Sequence, residues 1–180
     1  MHVDRPAANR LDLALAGEDE TEALGRVLAL VLRPGDVVGL VGTLGAGKTR
    51  LSRAIAVALG VDPGAVASPT FVLIHEYAGS NLAIYHFDAY RLASPDEFDA
   101  LGAADYWAEG DGICLVEWAD LVADRLPDLA WWVRIELDVA VVPMRRSVAV
   151  THPDAARVDQ LGALLGPIVV GSERSAPGPS

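Results

Sequence analysis

The sequence predicts an α/β fold with a mostly parallel central sheet and antiparallel strands toward the C-terminus. Three patterns carry that reading. Val37-Val38-Gly39-Leu40-Val41 and Ile113-Cys114-Leu115-Val116 are short apolar runs, as strands buried on both faces require. A glycine-rich turn joins the first run to a stretch of helical periodicity. Val133, Ile135, Leu137 and Val139 alternate with Arg134, Glu136 and Asp138, the period of a strand with one face in water.

Residues 1–10 carry no periodic pattern and are expected to be flexible. Leu11, Leu13 and Leu15 alternate with smaller or polar residues and predict a strand. The run GEDETEALGRVLALVL predicts a helix with its acids in the first turn, where the helix dipole favours them. After the glycine-rich turn, Leu51, Ala54, Ile55, Ala58 and Leu59 recur at helical spacing, and Gly60 is the stop. Residues 71–77 and 82–87 read as two strands joined through Gly79-Ser80-Asn81. Ser94-Pro95-Asp96-Glu97 begins a helix, with Ser94 as N-cap, Pro95 at the first position and Glu97 closing a capping box. Arg146 to Val150 is expected to pair with the alternating strand. Asp154 to Leu165 reads as a weak terminal helix. These elements fit one domain over residues 11–168, followed by a disordered Gly/Ser/Pro-rich tail from residue 169.

The turn carries the chemistry. Gly42-Thr43-Leu44-Gly45-Ala46-Gly47-Lys48-Thr49 fits the phosphate-binding pattern G-x-x-x-x-G-K-[ST], the P-loop. Strand, turn and helix come in the order that motif needs. Backbone N–H groups of such a turn and the helix N-terminus make an anion site. Lys48 would reach the β- and γ-phosphates of a nucleotide, and the Thr49 hydroxyl would bind Mg2+. Lys48 is the only lysine in the chain; the other 13 of the 14 basic residues are arginine. A position that takes lysine alone implies a tight site, with room for an ammonium but not a guanidinium.

Ligands of open α/β sheets bind beyond the carboxyl ends of the strands. Two acids stand at such ends, Asp88 after Ile84-Tyr85-His86-Phe87 and Glu117 after Ile113-Cys114-Leu115-Val116. An apolar strand ending in an acid is what a Mg2+-linked second motif requires. His86 shares a strand face with Asp88, yet no third ligand stands at suitable spacing, so it reads as a structural histidine.

Composition narrows the field further. At 180 residues and 52% hydrophobic content the chain can bury a core, which excludes a disordered protein. No apolar run approaches the roughly 20 residues of a membrane span. The N-terminus lacks the apolar core of a signal peptide, and the lone Cys114 cannot form an internal disulfide. Both point to the cytosol. A net charge of −11, with Arg145-Arg146 the only adjacent basic pair, argues against direct nucleic-acid binding.

Four stretches, in order, match a known family: LGAGKT (44–49), SPTF (68–71), YHFDAYRL (85–92) and ICLVEWAD (113–120). Over roughly residues 11–150 the chain resembles the bacterial TsaE (YjeE) ATPases of tRNA threonylcarbamoyladenosine synthesis. The resemblance implies a P-loop NTPase-like three-layer fold. It also implies ATP and Mg2+ as cofactors and a supporting role in modifying the adenosine next to the tRNA anticodon. The partners it implies are TsaD and TsaB, which carry out the transfer, with tRNA met only through that complex. Carried over by motif, Gly42 to Thr49 and Thr70 would contact the nucleotide. Thr49 and Glu117 would hold the metal, Asp88 would act at the γ-phosphate or its metal, and Asp88, Glu117 and Lys48 would be the catalytic residues. Ser68-Pro69-Thr70 would be a nucleotide-sensing loop, and Trp118 would lie beside the site. Thr43 departs from the aspartate common there in the family, a position the phosphate-loop pattern leaves free.

Two other classes fit parts of the sequence. A small P-loop kinase suits the length, but such enzymes commonly clamp phosphates with lid arginines, and none occurs between Leu92 and Asp124. A guanine-specific GTPase would need a second lysine. A nucleotide-gated binding module without turnover has the same sequence pattern as a slow ATPase.

Overall fold

The computed structural model describes residues 1–66, 73–138 and 145–173. Its strands are β1 (His2–Ala7), β2 (Arg10–Leu15), β3 (Val37–Val41), β4 (Ile74–Ala78), β5 (Ala83–Asp88), β6 (Gly112–Glu117), β7 (Trp131–Asp138) and β8 (Arg145–Thr151). They form an eight-stranded sheet in the order β1-β2-β8-β7-β3-β6-β5-β4. The helices are α1 (Glu18–Val31), α2 (Lys48–Ala58), α3 (Pro95–Ala100), α4 (Ala103–Ala108) and α5 (Ala155–Glu173).

The centre of the sheet is parallel: β3 lies between β6 and β7, and β5 pairs with the far edge of β6. Both flanks are antiparallel, β7 to β8 to β2 to β1 on one side and β5 to β4 on the other. The sheet is therefore mixed, parallel where the apolar runs lie and antiparallel where the pattern alternates. Every residue of β3 and β6 is buried.

Two apolar layers cover the centre. Val38 and Leu40 of β3, with Ile113 and Leu115 of β6, face a core shared with α1, α2 and α5. The intervening Val37, Val41, Cys114 and Val116 face Phe87, Phe98 and Ala103, a second core under α3 and α4. The result is three layers, as expected. At Gly25 a Cβ would lie 2.6 Å from the Cβ of Ala54, so α1 and α2 pack at the backbone separation that only glycine allows. That contact seats the helix that carries the phosphate loop.

Three expectations require correction. Residues 1–10, expected to lack structure, contain a strand: His2–Ala7 pairs antiparallel with β2, an exposed edge strand with almost no apolar face to reveal it. The helix begun at Ser94 is two short helices, because Gly102 turns the chain at φ +66. Ser94 does stand at the N-cap, but Glu97 bonds the Ala93 N–H at 2.9 Å, one residue before the position a capping box uses. The C-terminal helix runs on to Glu173, so the tail expected from residue 169 is helical that far. Residues 174–180 lie outside the described residues, as do Phe71, Val72 and Val139 of the predicted strands.

Candidate nucleotide site

The loop leaves the C-terminal end of β3 at Gly42 and enters α2 at Lys48. Gly42 sits at φ +154 with its α-carbon against β7: a Cβ there would lie 2.2 Å from the Ile135 carbonyl oxygen. Gly47, at φ +115, makes the left-handed turn into the helix. Ala46 is buried, and its carbonyl accepts a 3.0 Å hydrogen bond from Arg146 Nε of β8. The amides of the first turn of α2 are without intrahelical acceptors at such a helix start, the general source of its affinity for anions.

Lys48 is 4% exposed. Its Nζ donates to the carbonyls of Gly42 at 2.7 Å and Thr43 at 3.0 Å. The same ammonium lies 3.6 Å from the centroid of the Trp118 ring. Burial lowers its pKa below the ordinary lysine value, opposed by the charges of Glu117, Asp120 and Asp88. Two carbonyls and an aromatic face thus hold the ammonium at the mouth of the loop.

Thr49 Oγ1 donates a 2.7 Å hydrogen bond to Glu117 Oε2. The other oxygen of Glu117 lies 2.8 Å from His86 Nε2, with both residues buried. An ionised carboxylate only accepts, so Nε2 carries the proton. His86 is thus the structural residue expected, and what it holds is the Glu117 carboxylate. Asp88 and Glu117 are register partners at the ends of β5 and β6. Asp88 Oδ1 accepts the Tyr90 N–H at 3.0 Å, capping the 3-10 turn Ala89–Arg91.

Trp118 follows Glu117 with φ +58, the one non-glycine residue at positive φ among the described residues. For a bulky side chain that conformation costs on the order of 1–2 kcal/mol. Its ring is flanked by Lys48 and, at 4.8 Å between centroids, by Tyr90. The strained backbone thereby keeps an aromatic plate against the phosphate-loop lysine.

These elements enclose an open cavity of about 310 Å3, lined by Leu44, Gly45, Gly47, Lys48, Thr49, Arg50, Asp88, Tyr90, Arg91, Glu117 and Trp118. The structure therefore brings Lys48, Thr49, Asp88 and Glu117 to one cavity with Leu44, Gly45 and Gly47 of the loop. Gly42, Thr43 and Ala46 serve it from behind, through the Lys48 and Arg146 contacts. Thr70 lies outside the described residues, as does the Ser68-Pro69-Thr70 loop. Sequence reasoning missed Arg50, Arg91 and Arg146. Arg50 ties α2 to α1 through Glu18 and Glu22, each at 2.6 Å. Arg146 was detectable: it occupies a buried-face position in register with Val148 and Val150, where a charge needs a partner.

Mg2+ prefers oxygen ligands and keeps much of its water, so it suits a threonine hydroxyl and a carboxylate better than a closed cage. Thr49 and Glu117 offer that pair. Among the described residues no group of three or more His, Cys, Asp and Glu side chains could hold a metal by itself.

Known proteins resemble this chain in sequence and in fold. A family model described as "Threonylcarbamoyl adenosine biosynthesis protein TsaE" matches residues 15–148. A tRNA threonylcarbamoyladenosine biosynthesis protein TsaE from Bacillus subtilis is 45% identical over 109 residues, covering 61% of this chain and just under two thirds (66%) of the relative. The Rickettsia felis protein of the same name is 36% identical over 155 residues, 84% of this chain and 86% of the relative. The crystal structure of Bacillus subtilis YdiB superposes with a TM-score of 0.65 at 29% identity, covering 91% of this chain and 96% of that one. Sequence and fold agree, and the chain belongs to the TsaE family.

Proposed function

We propose that this chain binds ATP with Mg2+ at Gly42 to Thr49 and hydrolyses it in support of tRNA threonylcarbamoyladenosine synthesis, acting with TsaD and TsaB. The observation that carries the reading is the Thr49–Glu117 hydrogen bond beside the buried Lys48. It joins the phosphate-loop helix to the acid-tipped strand at one cavity. The pathway comes from the relatives, whose names place them in that biosynthesis.

Each residue then has a role. Loop and helix amides take the phosphates, and Lys48 exchanges its carbonyl partners for phosphate oxygens. Thr49 donates its hydroxyl hydrogen to Glu117, which leaves the oxygen lone pairs for Mg2+. Glu117, fixed by His86, orients that shell and carries its charge balance. Asp88, at the neighbouring strand end, acts on the γ-phosphate or the attacking water. Mg2+, held by Thr49 and Glu117, would supply charge neutralisation to the phosphates. Thr70 and its loop would sense the nucleotide. Among the described residues no helix is long and apolar enough to cross a membrane. We place the protein in the cytoplasm, where its tRNA-modifying partners would be.

The test is calorimetry of ATP with Mg2+, followed by phosphate release measured alone and with TsaD–TsaB. Micromolar or tighter ATP binding with partner-stimulated release supports the reading. Binding without release under either condition would convert it to a nucleotide-gated module.

A further inference from the structure

Two cations brace the phosphate loop, and they do so from opposite sides. Lys48 holds it at the cavity, through the carbonyls of Gly42 and Thr43. Those bonds are given up when the ammonium turns to phosphate, so the loop loses one brace as its ligand arrives. Arg146 grips from behind: its Nε donates to the carbonyl of the wholly buried Ala46 at 3.0 Å. No ligand in the cavity competes for that bond.

The place of Arg146 is a costly one for a charge. Its register partners on the neighbouring strands are Leu15 of β2 and Leu137 of β7. Val148 and Val150, on the same face of β8, belong to the core. A branched apolar side chain would fill the position without burying a guanidinium, even one with Glu18 at 3.5 Å. The loop supplies a reason for the arginine.

A trans peptide points its carbonyl and its N–H in opposite directions. With the Ala46 carbonyl held back on Arg146, the Gly47 N–H faces the cavity that Gly47 lines. A Cβ on Gly47 would stand 3.4 Å from Arg146 Nε, so the guanidinium packs directly behind this residue. The Ala46 N–H, by contrast, is spent within the loop on the Thr43 carbonyl at 3.2 Å. Loop amides of this kind cradle the α- and β-phosphates, and a donor is worth most when its direction is fixed before the anion arrives.

Resting on the nucleotide-binding part of the reading above, we propose that Arg146 is a positioning residue of the phosphate site. By holding the Ala46 carbonyl it aims the Gly47 N–H at the β-phosphate. That phosphate is common to ATP and ADP, so loss of Arg146 weakens both alike and lowers turnover at saturating ATP much less.

The experiment compares the full-length parent with Arg146→Met, Arg146→Gln and Arg146→Lys. Proton–nitrogen correlation NMR follows the Gly47 amide, and calorimetry gives the affinities for ADP and ATP with Mg2+. In the parent, bound ADP should move the Gly47 amide proton downfield, as donation to a phosphate oxygen does. Arg146→Met removes the donor. The Gly47 shift should then be lost while the Lys48 and Thr49 amides, set by α2, still respond. Both affinities should fall roughly tenfold. Glutamine carries its amide nitrogen as far along the side chain as arginine carries Nε, without the charge. Lysine keeps the charge and puts a methylene there. Arg146→Gln should therefore recover more of the Gly47 shift and of the affinity than Arg146→Lys. A better recovery in Arg146→Lys would show that the arginine acts by charge, and would overturn the assignment even if Arg146→Met does not fold. So would a parent that binds ADP with its Gly47 amide unmoved, which leaves the nucleotide reading standing. A parent that binds neither ADP nor ATP overturns both.

Discussion

Thr49 and Glu117, 68 residues apart in sequence, are joined by a 2.7 Å hydrogen bond from the threonine hydroxyl to the carboxylate. The contact exists because β6 runs parallel beside β3, so its acid ends level with the start of α2. Removing Glu117 should therefore strike the metal shell and spare the phosphate cradle. Glu117→Ala is expected to lower turnover on the order of 10²-fold, with nucleotide affinity changed by less than about tenfold. Phosphate release and calorimetry on the same preparation check this, and equal losses in both would contradict it. His86, left without its carboxylate in that variant, should cost roughly 1–3 kcal/mol of stability, visible as a lower Tm.

The confinement of Lys48 gives a sharper test. Lys48→Ala removes hydrogen bonds to a charged group, each contributing roughly 1.5–3 kcal/mol, so ATP affinity should fall on the order of tenfold to a hundredfold. Lys48→Arg keeps the charge and should still fail, because Trp118 at 3.6 Å and the two loop carbonyls leave no room for the fork. Normal ATP affinity and turnover in Lys48→Arg would show the site to be wider than its contacts imply.

Two loop glycines should behave differently. A Cβ on Gly42 would press to 2.2 Å from the Ile135 carbonyl at φ +154, whereas one on Gly45, at φ +79, meets nothing within 4 Å. Gly45→Ala should cost about 1–2 kcal/mol of backbone strain. Gly42→Ala adds overpacking against backbone and should cost roughly 2–5 kcal/mol. Thermal melts of the two variants should differ by several degrees, with the nucleotide-dependent rise in Tm lost in Gly42→Ala.

The sequence revealed this site where local pattern and chemistry coincide. The phosphate loop, its flanking strand and helix, and the acids ending β5 and β6 all follow from short-range rules, because each strand end must open on the same edge of a parallel sheet. What escaped depends on contacts distant in sequence. β1 has the composition of a tail, HVDRPA, and is a strand only because β2 offers it an edge. Arg146 reaches the loop across 100 residues, and Trp118 owes its positive φ to the turn after β6. Strand alternation marks Arg146 as inward-facing but does not name the loop it meets.

Cys114 offers a pH test of the core. Burial, with Asp111 adding to it, pushes its thiol pKa up to about 12 from an ordinary value near 9. A folded pKa raised above the unfolded one makes a contribution that is whole below about pH 9 and is lost as pH rises toward 12. Through that window the unfolded chain alone ionises, so stability should drop by about 1.4 kcal/mol per pH unit relative to a Cys114→Ala control. Urea titrations of both proteins at pH 8, 9 and 10 measure the difference. A parallel decline in the two would show that the thiol ionises equally in both states. The native thiol should also resist alkylation at pH 8.

An acidic chain in a tRNA pathway raises the question of how it meets the nucleic acid. Phosphate contacts dominate nucleic-acid affinity, and each needs a cation at the backbone. Here the net charge is −11, and the arginines near the site are engaged, Arg50 with Glu18 and Glu22 and Arg146 with Ala46 and Glu18. The long-range field repels a polyanion before a local patch can attract it, most strongly at low salt, where screening is weakest. The isolated protein should therefore show no tRNA binding tighter than about 10⁻⁴ M at physiological salt, the weak end of non-specific affinity. Lowering the salt should not rescue it, the reverse of what a basic binder does. Binding to TsaD–TsaB should respond to ATP, if nucleotide at Gly42 to Thr49 alters the surface presented to the partner. Fluorescence titrations against tRNA at two salt concentrations, and against TsaD–TsaB with and without ATP, separate the cases. Micromolar tRNA binding that strengthens as salt falls, or partner binding indifferent to ATP, would refute a protein-mediated route.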